Sequence, residues 1–208
     1  MLSALLAAGC SSGDTAAQAG SGGAGGAEPT FDDRSSGAAS SGSLSGPTEA
    51  PAVRNPLDAS VYLSRPCALL SRQQVSTLGD YGPGRPGKKT DVGGGSGPSC
   101  TWDSTAEGPI IDAQLVTSDR NGLSDFYRAR ATMPKSYFGY FEPTTVDGYP
   151  AVFNDATDQR KFGDCALVVG IADKLVLGTS QQGGDGPKSC SVAKQVAAAV
   201  ITTLKGDA

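Results

Sequence analysis

A long run of small residues sets how much of this chain can fold. Residues 11–54 are rich in Ser, Gly and Ala, and their few large side chains, such as Phe31 and Leu44, are widely spaced. Such a segment cannot bury enough apolar surface to offset the entropy lost on ordering, so we expect a disordered tether. Most of the aromatic and aliphatic residues follow it. They predict one domain over residues 55–208, which is an ordinary domain size.

The first ten residues have the character of an export signal. Residues 1–10 form an apolar stretch that ends in small residues and Cys10, and this pattern resembles the lipobox of bacterial lipoproteins. We therefore interpret them as a signal-peptide remnant and Cys10 as the site of lipidation, which would anchor the domain at the outer face of the cell membrane. The apolar core is short and no basic residue precedes it, so we expect the start codon to lie upstream of Met1.

The remaining four cysteines indicate disulfides rather than a metal site. Cys67, Cys100, Cys165 and Cys190 include no close pair of the CxxC type, and the chain contains no histidine to complete a mixed metal site. In an exported protein such cysteines predict two disulfides, for which three pairings exist. We favour Cys67–Cys100 and Cys165–Cys190, because each closes the shorter loop and joins a helix start to a strand.

Apolar spacing predicts helices at the start, in the middle and at the end of the domain. Ser71 is followed by Gln74, which is the capping-box pattern of a helix N-terminus. Helical spacing recurs over residues 123–127, and the last helix is predicted from about residue 191 to residue 205. The stripe of the last helix predicted to face the core consists of Val192, Val196, Ala199 and Val200.

Alternating apolar residues and turn signals predict an antiparallel sheet. The Asp147-Gly148 pair is a hairpin signal, and residues 80–98, rich in Gly and Pro, are predicted to form a long loop that is either a binding lid or an insertion. The strands are predicted at residues 100–102, 111–115, 144–146, 149–153, 165–171 and 175–179. The fold class predicted is α+β, with an antiparallel sheet of about five to six strands packed with N-terminal, middle and C-terminal helices.

No arrangement of residues typical of catalysis is evident, so we predict that this protein is not an enzyme. Without histidine the chain has no Ser-His-Asp or Cys-His arrangement, and it contains no P-loop and no GxSxG elbow in a strand-to-helix setting. Three acids, Asp155, Asp158 and Asp164, leave a carboxylate-dependent hydrolase as the weakest alternative.

Asp119 begins a faint calcium-loop pattern that lacks its later ligands, and we interpret it as a turn. We predict no metal and no cofactor, and the net charge of −4 argues against a nucleic-acid partner.

One short segment is unusually rich in aromatic residues. Four of the five positions from 137 to 141 are aromatic, and they lie between Pro134 and Pro143. Two interpretations stay open: a buried irregular segment, or a partly exposed surface that recognises a protein, a peptide or a glycan. The candidate interaction residues are Tyr137, Phe138, Tyr140 and Phe141.

The order of several short motifs carries a resemblance to a known family. Pro66-Cys67-x-Leu69-Leu70 is followed by Cys100-x-Trp102, Val146-x-Gly148-x-Pro150-Ala151, Cys165, Cys190 and a helix with Val196-Ala197. With the lipobox and the tether, this pattern resembles the actinobacterial lipoproteins grouped as domain of unknown function 3558 (DUF3558). The resemblance implies a secreted, membrane-anchored protein whose four domain cysteines are paired. It implies no activity, since the role of the family is unassigned.

We therefore expect a lipid-anchored, non-enzymatic binding or sensory module. Its partner would be a protein or a component of the cell envelope, because the anchor and the tether hold the domain there and the aromatic segment offers a recognition surface. The alternative is a carrier that holds a small apolar or lipid-like ligand in a cavity between the sheet and the helices.

Overall fold

Seven strands and three α-helices are present in residues 47–89, 95–118 and 121–206, the part of the chain that the computed structural model describes. The strands are β1 (Arg85–Lys89), β2 (Gly97–Asp103), β3 (Ile110–Val116), β4 (Tyr140–Val146), β5 (Tyr149–Asp155), β6 (Cys165–Ala172) and β7 (Leu175–Gln182). The α-helices are α1 (Arg72–Leu78), α2 (Leu123–Thr132) and α3 (Ser189–Lys205). Short 3-10 helices lie at Ser60–Tyr62, Pro66–Leu69, Lys135–Tyr137, Arg160–Phe162 and Gly186–Lys188.

These strands belong to one antiparallel sheet with the order β1-β2-β3-β7-β6-β5-β4. Strands β1 to β3 form one meander and β4 to β7 form a second, with α2 between them along the chain. The two meanders join where β3 pairs with β7, for example at Ala113 opposite Thr179. The predicted α+β fold with an antiparallel sheet is thereby confirmed.

The sheet has one strand more than the five to six predicted, and the additional strand lies in a segment predicted to be a loop. Within residues 80–98, β1 pairs with β2 from Arg85 opposite Thr101 to Lys89 opposite Gly97. Its sequence, Arg-Pro-Gly-Lys-Lys, has no apolar alternation, so no periodicity marks it as a strand. It becomes one because β2 offers a row of backbone hydrogen-bonding groups at the sheet edge.

Both strands at the edges of the sheet contain a proline. β1 carries Pro86, and β4 carries Pro143, which lies opposite Val152 of β5. Proline has no backbone N–H, and within sheets it occurs mainly in edge strands, where the missing donor would face solvent. Each edge therefore presents an interrupted row of hydrogen-bond donors.

Helix α3 packs along one face of the sheet, against β3, β6 and β7, and forms the larger core. Its buried stripe differs from the predicted one: Val196 and Val200 are buried, but Val192 and Ala199 are only partly buried. Because α3 is mostly Ala and Val along this stretch, hydrophobicity alone does not define which side faces the sheet. The other buried residues of the helix are Ser189, Ala193, Ala197 and Ile201.

A second, smaller core lies on the opposite face of the sheet, under α2. Leu123, Phe126 and Tyr127, at the spacing that predicted the middle helix, are its buried residues. They pack with four valines that come from four different strands, Val116, Val152, Val168 and Val176. Both faces of the sheet are therefore covered by a helix over part of their area.

Two local signals form the structures that the sequence predicts. The hydroxyl of Ser71 accepts a hydrogen bond from the N–H of Gln74, and the Gln74 side-chain oxygen accepts one from the N–H of Ser71, which confirms the capping box. The Gln74 amide also donates to the Ala199 carbonyl at 2.8 Å and so ties α1 to α3. Asp147 and Gly148, with φ values of 48° and 86°, make the tight turn between β4 and β5.

Two disulfides connect the helical segments to the sheet. Cys67–Cys100 links the 3-10 helix Pro66–Leu69 to β2, and Cys165–Cys190 links β6 to the first turn of α3. The paired Cα atoms are 4.9 and 5.0 Å apart, within the usual range. Both predicted pairings are confirmed.

The domain begins before the boundary at Asn55 that composition indicated. The backbone N–H of Ala50 donates to the hydroxyl of Ser124 in α2 at 3.2 Å. Residues 47–54, which the sequence assigned to the tether, therefore include a contact with the domain. That contact uses a backbone group, which composition does not reveal. Residues 1–46, with the predicted signal remnant and Cys10, lie outside the described residues.

Candidate interaction surface

Two segments pack side by side at one end of the sheet, and they contain the four candidate aromatic residues and Phe162. We name residues 133–142 and 155–163 together the aromatic end. The backbone N–H of Gly139 donates to the carbonyl of Asp155 at 2.9 Å, which fixes the backbones of the two segments to each other. The first segment contains the start of the edge strand β4, and the second follows β5.

Arg160 connects the side chains of the two segments. Its guanidinium donates to the Asp158 carboxylate at 2.6 and 2.9 Å and to the Glu142 carboxylate at 2.8 Å, and it lies over the ring of Tyr140 at 4.3 Å from the centroid. The hydrogen bonds from Arg160 lower the pKa of Asp158 to about 2, and the Asp158 carboxylate raises the pKa of Arg160. These charges hold the loop after β5 against β4.

Tyr140 is a buried residue of the aromatic end and does not lie on its surface. The side chain is 6% exposed, and its hydroxyl accepts a hydrogen bond from the Ala166 N–H at 2.9 Å. Ala166 lies in β6 just past the last residue that pairs with β5. The hydroxyl also lies 4.0 Å from the sulfur of Cys165. The interpretation of Tyr140 as an exposed recognition residue is therefore wrong, because its polar tip has buried partners.

We expect the phenol of Tyr140 to make the domain less stable at strongly alkaline pH. Burial raises its pKa to about 12, above the value near 10 expected in an unfolded chain. Between about pH 10 and pH 12 the unfolded state releases this proton while the folded state keeps it, so the free energy of unfolding falls as pH rises. The expected loss is at most about 2.7 kcal/mol for this residue.

The comparison of the wild type with Tyr140→Phe tests this expectation. At about pH 8 the variant should be less stable by about 1–3 kcal/mol, since the Ala166 N–H loses its buried acceptor. Urea denaturation at about pH 8 and about pH 11.5 should then show a smaller alkaline loss for the variant than for the wild type. Some loss will remain, because burial also raises the pKa of Tyr127 and of Tyr149. Equal alkaline losses in the two proteins would contradict the role assigned to Tyr140.

Phe138 and Phe141 are half-buried and form a connected group of rings. Phe141 meets Tyr127 of α2 edge-to-face with 5.1 Å between ring centroids, and Phe138 meets Phe141 in the same way at 6.2 Å. The Arg130 guanidinium lies 5.4 Å from the centroid of Phe138. An edge-to-face pair of rings contributes about 0.5–1.5 kcal/mol of stability beyond the effect of burying its apolar area. These contacts therefore hold the rings of Phe138 and Phe141 in place.

Three large apolar side chains of the aromatic end are exposed to solvent. Tyr137 is 57% exposed, Phe162 is 62% exposed and Met133 is 42% exposed. Elsewhere in the described residues, only Val61 and Leu63 are exposed large hydrophobic side chains. The aromatic end therefore concentrates the exposed apolar surface of the domain.

The four candidate residues lie at different depths, so the segment is neither wholly buried nor wholly exposed. Tyr137 is exposed, Phe138 and Phe141 are half-buried, and Tyr140 is buried. Sequence reasoning missed Phe162. The sequence does contain a signal for it: Phe162 directly follows four polar or charged residues, 158–161, so no apolar residue just before it indicates that it is buried.

Two cations lie against aromatic rings here, one against the exposed Phe162 and one against the half-buried Phe138. The Lys161 ammonium lies 4.6 Å from the centroid of Phe162, and Arg130 lies over Phe138. Within the described residues neither cation forms an ion pair. This surface thus combines apolar rings with positive charges that are held in place by those rings.

The three acids of the hydrolase alternative each have a separate local partner. Asp155 accepts a hydrogen bond from the Ala156 N–H at 2.6 Å, and Asp164 accepts one from the Gly183 N–H at 2.8 Å. Asp158 is held by Arg160 as described above. The Asp155 and Asp158 contacts lie within one loop, the Asp164 contact joins the segments before β6 and after β7, and none of these contacts joins two of the three acids. The calcium-loop residue Asp119 lies outside the described residues.

Within the same described ranges, no three or more His, Cys, Asp or Glu residues group together in a way that could hold a metal ion. No helix there is both long enough and apolar enough to cross a membrane.

The fold defines the class of protein as a small α+β domain in which two disulfides join helical segments to an antiparallel sheet. The chain belongs to the DUF3558 family, a family described as protein of unknown function, whose model matches residues 5–203. No curated protein and no solved structure matches the chain. The family predicted from the motifs is confirmed, and its description assigns no activity.

Proposed function

We propose that this protein is a lipid-anchored, non-enzymatic binding module at the outer face of the cell membrane, and that its aromatic end docks onto a protein partner. The observation that carries the proposal is the exposure of Tyr137 and Phe162 on two segments that are tied together by the Gly139–Asp155 backbone hydrogen bond and the Arg160–Glu142 ion pair. Exposed aromatic anchors on a rigid support are the residues that usually dominate the energy of protein interfaces.

The proposed anchor sets where the partner must be. A diacylglycerol on Cys10 would hold the chain at the membrane, and residues 11–46 would connect it to the domain. A coil of about 40 residues rich in Gly and Ser spans roughly 30–40 Å. The domain would therefore sample partners on the same membrane or in the layer just above it.

Two cations, Lys161 in the aromatic end and Arg130 in the adjoining helix α2, indicate the kind of partner. Arg130 and Lys161 lie against rings and are not neutralised by carboxylates of the described residues. A partner that offers an apolar pocket bordered by Asp or Glu would bury the rings and pair these cations. We propose an acidic protein surface of this kind as the partner.

Replacing the two exposed rings tests the proposal. We expect the Tyr137→Ala, Phe162→Ala double variant to lose a partner that the wild type retains in affinity capture from its own membranes, by at least ten-fold in quantitative mass spectrometry. Hot-spot aromatic residues lose about 2 kcal/mol or more on truncation, which exceeds a ten-fold loss of affinity. Both side chains are exposed, so the melting temperature should stay within a few degrees of the wild-type value.

A matched control is available in the same chain. Val61 and Leu63 are also exposed, at 52% and 42%, but they belong to another segment of the fold. The Val61→Ala, Leu63→Ala variant should capture the partner as the wild type does. Equal capture by all three proteins would contradict the proposed site. Binding of the anchor-free domain to anionic vesicles, lost in the Tyr137→Ala, Phe162→Ala variant, would show that the surface contacts lipid instead of a protein.

One observation favours the carrier as a second candidate. A cleft of about 610 Å³ lies beside the β4–β5 turn, and its walls include the apolar residues Leu57, Tyr149 and Leu204. Two cations, Arg54 and Lys205, and two acids, Asp58 and Asp147, also line it, so these charges balance and the apolar residues are what favour an amphiphilic ligand. Native mass spectrometry of protein purified from membranes would detect such a ligand, and a mass equal to that of the unliganded chain would count against the carrier.

A further inference from the structure

The cleft beside the β4–β5 turn is large enough to hold a specific ligand. Its volume of about 610 Å³ lies within the usual range of about 300–1,000 Å³ for small-molecule sites. Three parts of the fold border it: residues 54–58, the turn with the start of β5, and the end of α3. What the cleft can accept therefore depends on how firmly these parts are held and on which groups they offer.

Hydrogen bonds hold residues 54–58 in place at two points. The hydroxyl of Tyr149, a residue that is 5% exposed, donates to the Asn55 carbonyl at 2.9 Å. The backbone N–H of Leu57 donates to the carbonyl of Ile171, a residue of the larger core, at 2.8 Å. This wall of the cleft is therefore formed before any ligand arrives, and little ordering has to be paid on binding.

The apolar part of the lining continues from the larger core. Leu57 and Leu204 are partly buried and pack against that core, to which Tyr149 also belongs. At Gly148 in the turn, an added Cβ atom would meet nothing within 4 Å, so the space beside the turn is open. A hydrocarbon chain can therefore enter beside the turn and lie against these apolar side chains.

Four charged residues line the same cleft, two cations and two acids. They are Arg54, Lys205, Asp58 and Asp147. Within the part of the chain that the structure describes, none of the four forms an ion pair, with each other or with any other residue. Both signs of charge are therefore available to a ligand in one cleft.

Two of these four charges are held by contacts of their own. The Lys205 ammonium lies over the ring of Tyr149, 5.4 Å from its centroid, and both residues line the cleft. The Asp58 carboxylate accepts a hydrogen bond from the Ser60 N–H at 2.8 Å, which lowers the pKa of Asp58 and keeps it negative at neutral pH. A ligand of one charge only would meet repulsion from half of this set.

We propose that the cleft binds the headgroup of a zwitterionic lipid-like molecule, one that carries a phosphate and a primary ammonium group. The phosphate would pair with the two cations, the ammonium would donate to the two acids, and the hydrocarbon chain would lie against the apolar wall. This inference rests on the carrier candidate, and it adds the chemistry of the ligand. It is independent of the aromatic end.

Titration of the full chain with a lysolipid, followed by protein NMR, tests the proposal. The chain carries Cys10→Ser, so no lipid of its own competes for the cleft. Myristoyl lysophosphatidylethanolamine, kept below its micelle concentration, should cause saturating shifts at the backbone amides of Asn55, Gly148 and Lys205. The glycerol analogue, which has the same chain and phosphate but no ammonium, should bind about five-fold more weakly.

The headgroup without its chain tests the apolar wall. Phosphoethanolamine carries both charges but no hydrocarbon. It should bind at least about ten-fold more weakly than the lysolipid, because the burial of two methylene groups is already worth about that factor.

Removal of the two acids should abolish the preference between the lysolipids. The Asp58→Asn, Asp147→Asn variant keeps the shapes of both side chains, and asparagine tolerates the φ value of 48° at position 147. This variant should bind the ethanolamine and glycerol lysolipids equally well. The matched control is Glu107→Gln, Asp173→Asn, which removes the same charge from two exposed residues outside the cleft and should keep the wild-type preference.

Removal of the two cations should weaken binding of both lysolipids, since each carries the phosphate. We expect the Arg54→Gln, Lys205→Gln variant to bind each of them about five-fold more weakly than the wild type. The control Arg72→Gln, Lys174→Gln changes two exposed cations outside the cleft and should bind both as the wild type does.

Vesicles that contain phosphatidylethanolamine identify the source of the ligand. After incubation the vesicles are removed by centrifugation, and native mass spectrometry is applied to the protein left in solution. A complex with one phosphatidylethanolamine would assign a lipid taken from a bilayer. Saturating lysolipid binding without this complex would assign a free single-chain amphiphile.

Three results would overturn the proposal. One is the absence of saturating shifts with lysophosphatidylethanolamine, and if the glycerol lysolipid also fails to bind, the carrier candidate fails with it. Another is equal binding of the two lysolipids by the wild type, which would leave a carrier that does not recognise the headgroup. The third is an unchanged preference in the Asp58→Asn, Asp147→Asn variant.

Discussion

Reduction of both disulfides is expected to unfold or severely loosen the domain at ordinary temperatures. The bonds close loops with sequence separations of 33 and 25 residues. In the chain-entropy model each contributes about 3–4 kcal/mol. A domain of this size has a total stability of about 5–15 kcal/mol, so the loss of both removes a large part of it.

Thermal unfolding followed by circular dichroism, with and without a phosphine reductant, measures this effect. The reduced protein should melt at a much lower temperature or show no cooperative transition. The Cys67→Ala, Cys100→Ala variant and the Cys165→Ala, Cys190→Ala variant divide the effect between the two bonds. Coincident melting curves for oxidised and reduced protein would show that the packed core suffices without the bonds.

Replacement of Cys10 should change where the whole protein is found. We expect the Cys10→Ser variant to lose its lipid and to appear in the culture medium or in the soluble envelope fraction, while the wild type stays with the membranes. Several acyl chains anchor a protein stably, and without them only the weak attraction of the domain for other surfaces remains.

Fractionation with an antibody against the domain checks this expectation. Metabolic labelling with a radioactive fatty acid provides the direct measurement: label should be present in the wild type and absent in Cys10→Ser. The Cys67→Ala, Cys100→Ala variant should still be labelled, since its substitutions lie in the domain. Retention of unlabelled Cys10→Ser in the membrane fraction would require another mode of attachment.

Features of this fold that depend on neighbours in sequence could be predicted, and features that depend on distant neighbours could not. The Ser71–Gln74 capping box and the turn at Asp147-Gly148 are short-range structures, and the sequence marks both. β1 is a strand only because β2 lies beside it. The orientation of α3 is set by the sheet, because alanine and valine occur on several sides of the helix.

The same distinction between near and distant neighbours in sequence applies to the candidate interaction surface. The sequence marks a cluster of aromatic residues, but it cannot show that the Tyr140 hydroxyl meets the Ala166 N–H on another strand. That contact takes Tyr140 out of the surface. Phe162 enters the surface because Arg160 fixes its loop beside β4 through Glu142, a contact between residues 18 positions apart.

If Cys10 is lipidated as proposed, the prolines in the edge strands bear on how copies of this protein behave when they are confined to a membrane. Molecules held on a membrane encounter one another far more often than the same number in bulk solution. Open sheet edges would then join by strand pairing into chains of domains. Pro86 and Pro143 have no backbone N–H, so neither residue could donate a hydrogen bond in such pairing. We therefore expect strand pairing between crowded copies to be disfavoured, which leaves side chains to make the contacts between this domain and its surroundings.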